Sequence, residues 1–314
     1  MVTRWLLTPM PATRLAALRI LVGSYAVAFL VARAPSFWSG ASLPSRQFEP
    51  VGPLVMLGEP LPVFVAHAGF VVTCALGVAF VVGWRHRATG PAFAIAFLAV
   101  AAYRLSFGHV IHTEHLAALH LLVIGFTPAA DAWSLDARRP RAVALPDREP
   151  GGHERYGWPV QVMALILVTT YVLAGWAKVR HGGTDWLTGD VLRNQIAYDN
   201  LRKELLGSPH SALGGWLVQF DWLFPPIAVA TVVVELGAPV ALATGRFGRQ
   251  LRTIWALAAW SFHAGVLAVM AISFPYQLSF VAYASLFAPE RLIARVVALL
   301  KVGRARQNRL TPAE

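Results

Sequence analysis

The chain has 314 residues, of which 56% are hydrophobic and only 14% charged. Soluble domains carry about 25% charge, so a water-facing globule is excluded. The formal net charge of +11 would suit nucleic acid, but the basic residues cluster in the gaps between apolar blocks, which is a pattern of membrane topology, and nucleic acid is set aside as a partner. A single cysteine, Cys74, leaves no disulfide framework and no cysteine metal cluster.

The apolar blocks fall at residues 15–34, 61–84, 91–107, 115–130, 158–178, 225–245, 252–272 and 274–289. Most approach the ~20 residues that a helix needs to cross ~30 Å of hydrocarbon; the third, fourth and last are shorter. Arg14 lies beside the first block and Arg19 within it, and no small-residue cleavage site follows, so it reads as a retained span rather than a signal peptide. The expected fold is an all-α integral membrane protein, a polytopic bundle of about eight transmembrane helices forming one domain over 1–314.

With the N-terminus in the cytoplasm, the inside loops carry Arg85 and Arg87, then Arg138 to Arg155, then Arg246 to Arg252, then a tail from Arg291 to Arg309. That arrangement puts most of the 27 Lys and Arg on one side, as the positive-inside rule requires. Both termini are then cytoplasmic, 131–157 is a cytoplasmic loop rich in Pro and Gly, and 291–314 is a cytoplasmic tail. The long segment 179–224 is extracytoplasmic. Within it Val191, Ile196, Leu201 and Leu205 recur at helical spacing, which predicts an amphipathic helix near 190–206. A loop of that length more often covers a site than hangs free.

Polar groups inside spans are the informative exceptions, because each is costly to insert and faces the bundle interior. They are Arg19, His67, Arg104, His115, His120, Lys178, Glu235 and His263. Lys178 stands out. The only other lysines are Lys203 and Lys301, so lysine rather than arginine ends this one span. Arginine snorkels as well but does not give up its proton, whereas a desolvated lysine does. A snorkelling cation, an ion-pair partner for Glu114 or Glu235, and a general base all remain open for Lys178. Glu235 is either a proton or ion site or a structural partner for Arg19 or another span. The run His109-Val-Ile-His112-Thr-Glu114-His115, with His120 beyond, has helical i, i+3 spacing. Cavity-lining histidines explain it better than a metal box, since no further boxes follow; no metal is expected.

Four stretches carry a likeness to a known family. They are Leu18-Arg19-Ile20-Leu21-Val22-Gly23; Glu114-His115-Leu116 continuing to Ala130-Asp131-Ala132-Trp133-Ser134; Ala174-Gly175-Trp176-Ala177-Lys178 with Asp185-Trp186-Leu187-Thr188-Gly189; and Glu235-Leu236 with Phe262-His263 and Phe274-Pro275-Tyr276. In order and spacing the chain resembles, over about 15–290, the membrane portion of vitamin K-dependent gamma-glutamyl carboxylase and the horizontally transferred transmembrane (HTTM) domain family.

The resemblance implies that Lys178 is the base that deprotonates a reduced quinone and that His115 hydrogen-bonds the quinone or an oxygenated intermediate. His112, His120, Trp186, Glu235, His263 and Tyr276 would line the substrate cavity. It further implies reduced menaquinone or vitamin K as cofactor, O2 and CO2 as co-substrates, no metal, and an acceptor that the sequence does not specify. Partners would be membrane lipid and a prenyl-quinol. Ala177 stands where the family enzyme has a second lysine and Glu114 where it has an asparagine, and no stretch matches that enzyme's lumenal domain. Quinol chemistry is therefore better supported than carboxylation of a protein. The rival is a non-enzymatic membrane protein that binds lipid or quinone, transports, or assists assembly. Arginine-rich, lysine-poor usage points to a bacterial plasma membrane.

Overall fold

The structure is a computed structural model that describes residues 2–108, 113–139, 152–296 and 298–299. The named helices among them are α1 Val2–Leu6, α2 Ala12–Ala41, α3 Val63–Val82, α4 His86–Leu105, α5 His115–Gly125, α6 Glu154–Leu187, α7 Asp190–Leu205, α8 Ala212–Leu217, α9 Phe224–Leu236, α10 Gly248–Met270 and α11 Pro275–Leu278, with short 3-10 turns between. Six stretches are long and apolar enough to cross a membrane: α2, α3, α4, α6, α10, and Asp221–Leu242, which contains α9. Their outward residues are large and apolar. On α3, Phe64, Val71, Val72 and Val78 are each more than half exposed, a pattern that water would penalise and lipid tails accept.

Among the described residues six stretches meet this length and composition, where about eight were expected. The block at 115–130 yields only the 11-residue α5, about 17 Å long, because Gly125 and Pro128 end it. The block at 274–289 is broken into α11 and a 3-10 turn, Val281–Leu286, with Phe280 between them in the left-handed region at φ 66°. The helix expected near 190–206 is present as α7.

The chain divides into two compact units. The first holds residues 1–111, 117–163 and 287–314, so α2, α3, α4 and most of α5 belong to it. Its helices meet through glycine. A Cβ on Gly77 would stand 2.6 Å from Val27 of α2 and 2.8 Å from Phe93 of α4, and a Cβ on Gly90 would stand 2.5 Å from the carbonyl oxygen of Gly125. Small residues let helix backbones approach in this way where lipid gives no hydrophobic drive between helices. Phe29, Phe80, Phe93 and Phe97 fill the interior as a chain of ring contacts. Arg14 grips Glu290 through two guanidinium nitrogens, with Nη2 at 2.8 Å. Backbone bonds between Met10 and His153 run in both directions.

Arg19 is fully buried in this unit. Its Nη2 donates to the carbonyl oxygen of Trp133 at 2.6 Å, and Trp133 adopts φ 48°. The sequence left Arg19 open as a partner for Glu235; instead it serves the end of α3 and the 131–139 turn. Beside it Asp136 accepts from the backbone N–H groups of Arg85 at 2.9 Å and His86 at 2.7 Å, so a distant carboxylate caps the start of α4 where orphan donors and the helix dipole favour an anion. Partial burial opposes ionisation of Asp136, but those two N–H groups and Arg139 outweigh it and hold the carboxyl below its usual range. A depressed folded value means that the stabilisation is present above the unfolded carboxylate value of ~4 and is lost as pH falls through the folded one. Asp136→Asn is expected to lower unfolding stability by about 0.5–2 kcal/mol at pH 7. The gap to wild type should close in unfolding measured near pH 3; a gap that is constant with pH would refute the charge-based cap.

The second unit holds residues 112–116 and 164–286. Its core gathers Trp186, Leu192, Ile196, Phe224, Ala228 and Val232. The segment at 179–224 is tied down. Gly183, at φ 54° and ψ −135°, kinks α6, and Gly189 at φ 87° starts α7 where a Cβ would stand 2.4 Å from the Phe224 carbonyl carbon. Buried Asn200 donates to the carbonyl oxygens of Ile196 at 3.0 Å and Val269 at 2.9 Å and accepts from Ser211 N–H at 2.7 Å. Lys203 donates to the Met270 carbonyl oxygen at 2.6 Å. These bonds fasten α7 and α8 to the end of α10. Most of the expected cytoplasmic loop, residues 140–151, lies outside the described residues, as does the tail beyond 299.

Candidate functional site

Lys178 lies in the second unit on α6, with its side chain 20% exposed. Its Nζ bonds Glu235 Oε1 of α9, and that carboxylate is 3% exposed. The approach is made possible by Gly175, one turn earlier on α6, where a Cβ would stand 2.9 Å from the Glu235 Cβ and 3.0 Å from Leu236. Any larger residue there would push α9 away and pull the carboxylate off the amine. The ammonium position also faces two rings, at 5.4 Å from the centroid of Trp186 and 5.5 Å from that of Phe262. Cation–ring attraction strengthens as water is withdrawn. The same three residues, Glu235, Trp186 and Phe262, therefore bind the charge and shield it.

A second polar chain runs beside this pair. Tyr171 stands seven residues before Lys178 on α6, two helical turns away and on the same face. Its hydroxyl lies 2.8 Å from His263 Nε2 of α10 and 2.8 Å from the Tyr283 hydroxyl. Edge-on rings enclose the chain: Trp255 against Tyr171 at 5.1 Å, and Phe274 against His263 at 4.8 Å. If Tyr283 donates to Tyr171 and Tyr171 to His263, the imidazole carries its proton on Nδ1. That nitrogen, Glu235 Oε2 and Trp186 Nε1 are buried atoms without a partner among the described residues. Buried polar atoms are normally paired, and these three retain capacity for a further hydrogen bond.

The residues singled out from sequence divide clearly. Lys178 meets both Glu235 and Trp186, and His263 joins them through Phe262, whose ring it meets at 5.0 Å. Tyr276 is fully buried in the same unit and its carbonyl oxygen accepts from Ser279. His115 is the first residue of α5, exposed and also in this unit, but the bonds and ring contacts of Lys178 go to Glu235, Trp186 and Phe262. His120 belongs to the first unit, is fully buried, and its Nε2 lies 3.1 Å from the Met163 carbonyl oxygen. His67, also in the first unit, stacks on Trp38 at 4.6 Å. His112 lies outside the described residues. Among those residues no three His, Cys, Asp or Glu side chains gather to hold a metal ion.

Sequence reading missed Tyr171 and Tyr283. A signal existed for Tyr171, whose spacing of seven from Lys178 puts both on one helical face. None existed for Tyr283, which sits in the irregular turn that replaced an expected span.

Comparison with known proteins places the chain. No curated protein and no solved structure matches it, but the family model described as the HTTM domain matches residues 7–290. That match spans α2 through the segment carrying Tyr283 and includes every residue of the Lys178 cluster; the chain belongs to the HTTM domain family of membrane proteins.

Proposed function

We propose that this protein is a quinol-linked membrane enzyme of the vitamin K-dependent carboxylase-like kind, with Lys178 as its general base. The observation that carries the reading is the Lys178 amine itself, held on Glu235 between the rings of Trp186 and Phe262. An ion pair taken out of water loses much of its advantage over the neutral amine and acid, because desolvation offsets the attraction. Passing one proton from Nζ to Glu235 leaves a neutral amine, which is a competent base.

A reduced menaquinone or vitamin K fits the donor set: its ring suits aromatic walls, and its two oxygens suit the unpaired Trp186 N–H, His263 Nδ1 and Glu235 Oε2. When bound, such a quinol supplies two electrons and an acidic hydroxyl for reaction with O2. The residues of this chain do the rest. Lys178 Nζ takes up a proton while Glu235 keeps the one it has received, His263 is fixed in one tautomer by Tyr171, and the rings hold the resulting ammonium and keep water from it. In this reading His115 orients the oxygen chemistry from the start of α5. CO2 and an acceptor enter if the reaction ends in carboxylation. We place both termini and 131–157 in the cytoplasm of a bacterial cell and 179–224 outside its plasma membrane, on the distribution of arginine.

The test is direct. Purified protein supplied with menaquinol or vitamin K quinol and O2 should form quinone epoxide above the rate of the uncatalysed mixture. If no quinol in such a series is turned over, the Lys178–Glu235 pair is a structural tie, and the rival reading of a lipid- or quinone-binding protein without catalysis takes its place. The direct Lys178–Glu235 ion pair, which already satisfies the amine, is the observation that favours that rival.

A further inference from the structure

Helix α7 is held at two points by membrane spans of its own unit. Near its start, a Cβ on Gly189 would stand 2.4 Å from the carbonyl carbon of Phe224, the first residue of α9, and Leu192 and Ile196 join the core around Phe224. Further along, Asn200 donates to the carbonyl oxygen of Val269 at 2.9 Å and Lys203 to that of Met270 at 2.6 Å. Ser211, which precedes α8, donates to that of Ala268. These three carbonyls lie in the last turn of α10, where a helix has no backbone donors left to offer them.

The two points lie on one side of the bilayer. The span Asp221–Leu242 has 22 residues and α10 has 23, each about 33–35 Å long and so able to cross ~30 Å of hydrocarbon. They follow one another through the short link at 243–247 and therefore run in opposite directions. The start of the first and the end of the second meet the same membrane surface. A 16-residue helix, about 24 Å long, that bridges those two ends lies along the surface and does not cross it.

The faces of α7 differ in kind. Leu192, Ile196 and Asn200 are buried. On the other side Tyr198, Leu201 and Leu205 are each more than half exposed, and their i, i+3, i+7 spacing aligns them. Four charged side chains of α7 are engaged within the unit: Arg193 donates to the Val218 carbonyl oxygen at 2.8 Å, and Asp199 holds Arg202 at 3.0 Å and Lys203 at 2.6 Å. Leu206, Trp216 and Trp222 are also more than half exposed. Water penalises such a surface. Tryptophan and tyrosine beside leucine, at the level where a span ends, is the composition of a membrane interface.

We infer that α7 is an in-plane membrane anchor, with Tyr198, Leu201 and Leu205 embedded in the lipid of the leaflet where α10 ends. The occupant of this face is the bilayer, not a second copy of the chain or a soluble partner.

The test uses the full chain with Cys74→Ala as background, in phosphatidylcholine liposomes. Tyr198→Cys, Leu201→Cys and Leu205→Cys each carry a nitroxide spin label in turn. Val233→Cys, at a residue of α9 more than half exposed, gives the lipid-facing reference. All three labels should collide more with O2, which concentrates in hydrocarbon, than with a water-soluble nickel chelate, and all three should report the same depth. An upright helix would spread Tyr198 and Leu205 over about 10 Å of depth, and that gradient would overturn the inference. So would free access of the nickel chelate, which puts the face in water, or shielding from both reagents, which puts it under protein.

Discussion

Lys178→Arg is expected to abolish quinol turnover, by about 10²–10⁴-fold, the range that a positioned base contributes, while leaving the fold intact. Arginine keeps a cation for Glu235 and for the rings of Trp186 and Phe262, yet it cannot supply a neutral amine. Lys178→Ala should lose turnover to the same extent and stability as well. It strands a carboxylate that is 3% exposed, and breaking one side of a buried pair costs about 3–5 kcal/mol. The double variant Lys178→Met, Glu235→Leu removes both charges and should regain most of that stability with no turnover. The three variants separate chemistry from architecture. Epoxide formation by Lys178→Arg at more than a tenth of the wild-type rate would end the assignment of Lys178 as the base, even if the protein proved to be an enzyme. Unfolding in detergent, read alongside, shows whether a lost rate is merely a lost fold.

The second large effect is structural and lies in the other unit. Gly83 closes α3 at φ 66°, and a Cβ there would stand 2.0 Å from Arg19 Nη1 and 2.4 Å from Ser134 Cβ. Left-handed backbone alone costs an alanine about 1–2 kcal/mol. The clash adds to this, because Arg19 is fully buried and moving it would break its 2.6 Å bond to the Trp133 carbonyl, leaving a charge without its acceptor. Gly83→Ala should therefore destabilise the protein by more than about 3 kcal/mol. Gly207 provides the control: its φ is 64° and nothing lies within 4 Å of a Cβ there, so Gly207→Ala should show the backbone cost alone. Equal losses at the two glycines in chemical or thermal unfolding would mean that Arg19 is not held as the structure shows.

The difference between these two glycines illustrates what was legible in advance. Both are glycines in the sequence, and only the fold puts a guanidinium beside one of them. The membrane character was plain from composition and block length, because a helix must satisfy its own backbone in lipid and needs about 20 apolar residues to do so. The helix expected near 190–206 was likewise readable from periodicity and is present as α7, and Lys178 was singled out by the choice of lysine where arginine is the habit.

What the sequence left open was decided by partners distant in the chain. Lys178 had Glu114 or Glu235 as candidate partners and Glu235 had Arg19 as an alternative; the approach of α9 to Gly175 settled both. Two apolar blocks form only short helices and turns, since apolarity shows only that a segment avoids water, and protein interior satisfies that condition as well as lipid does. Hydropathy is a local property that each residue carries with it. The pairing of a buried charge belongs to the tertiary structure, since it depends on which helices meet and on how closely their glycines let them come.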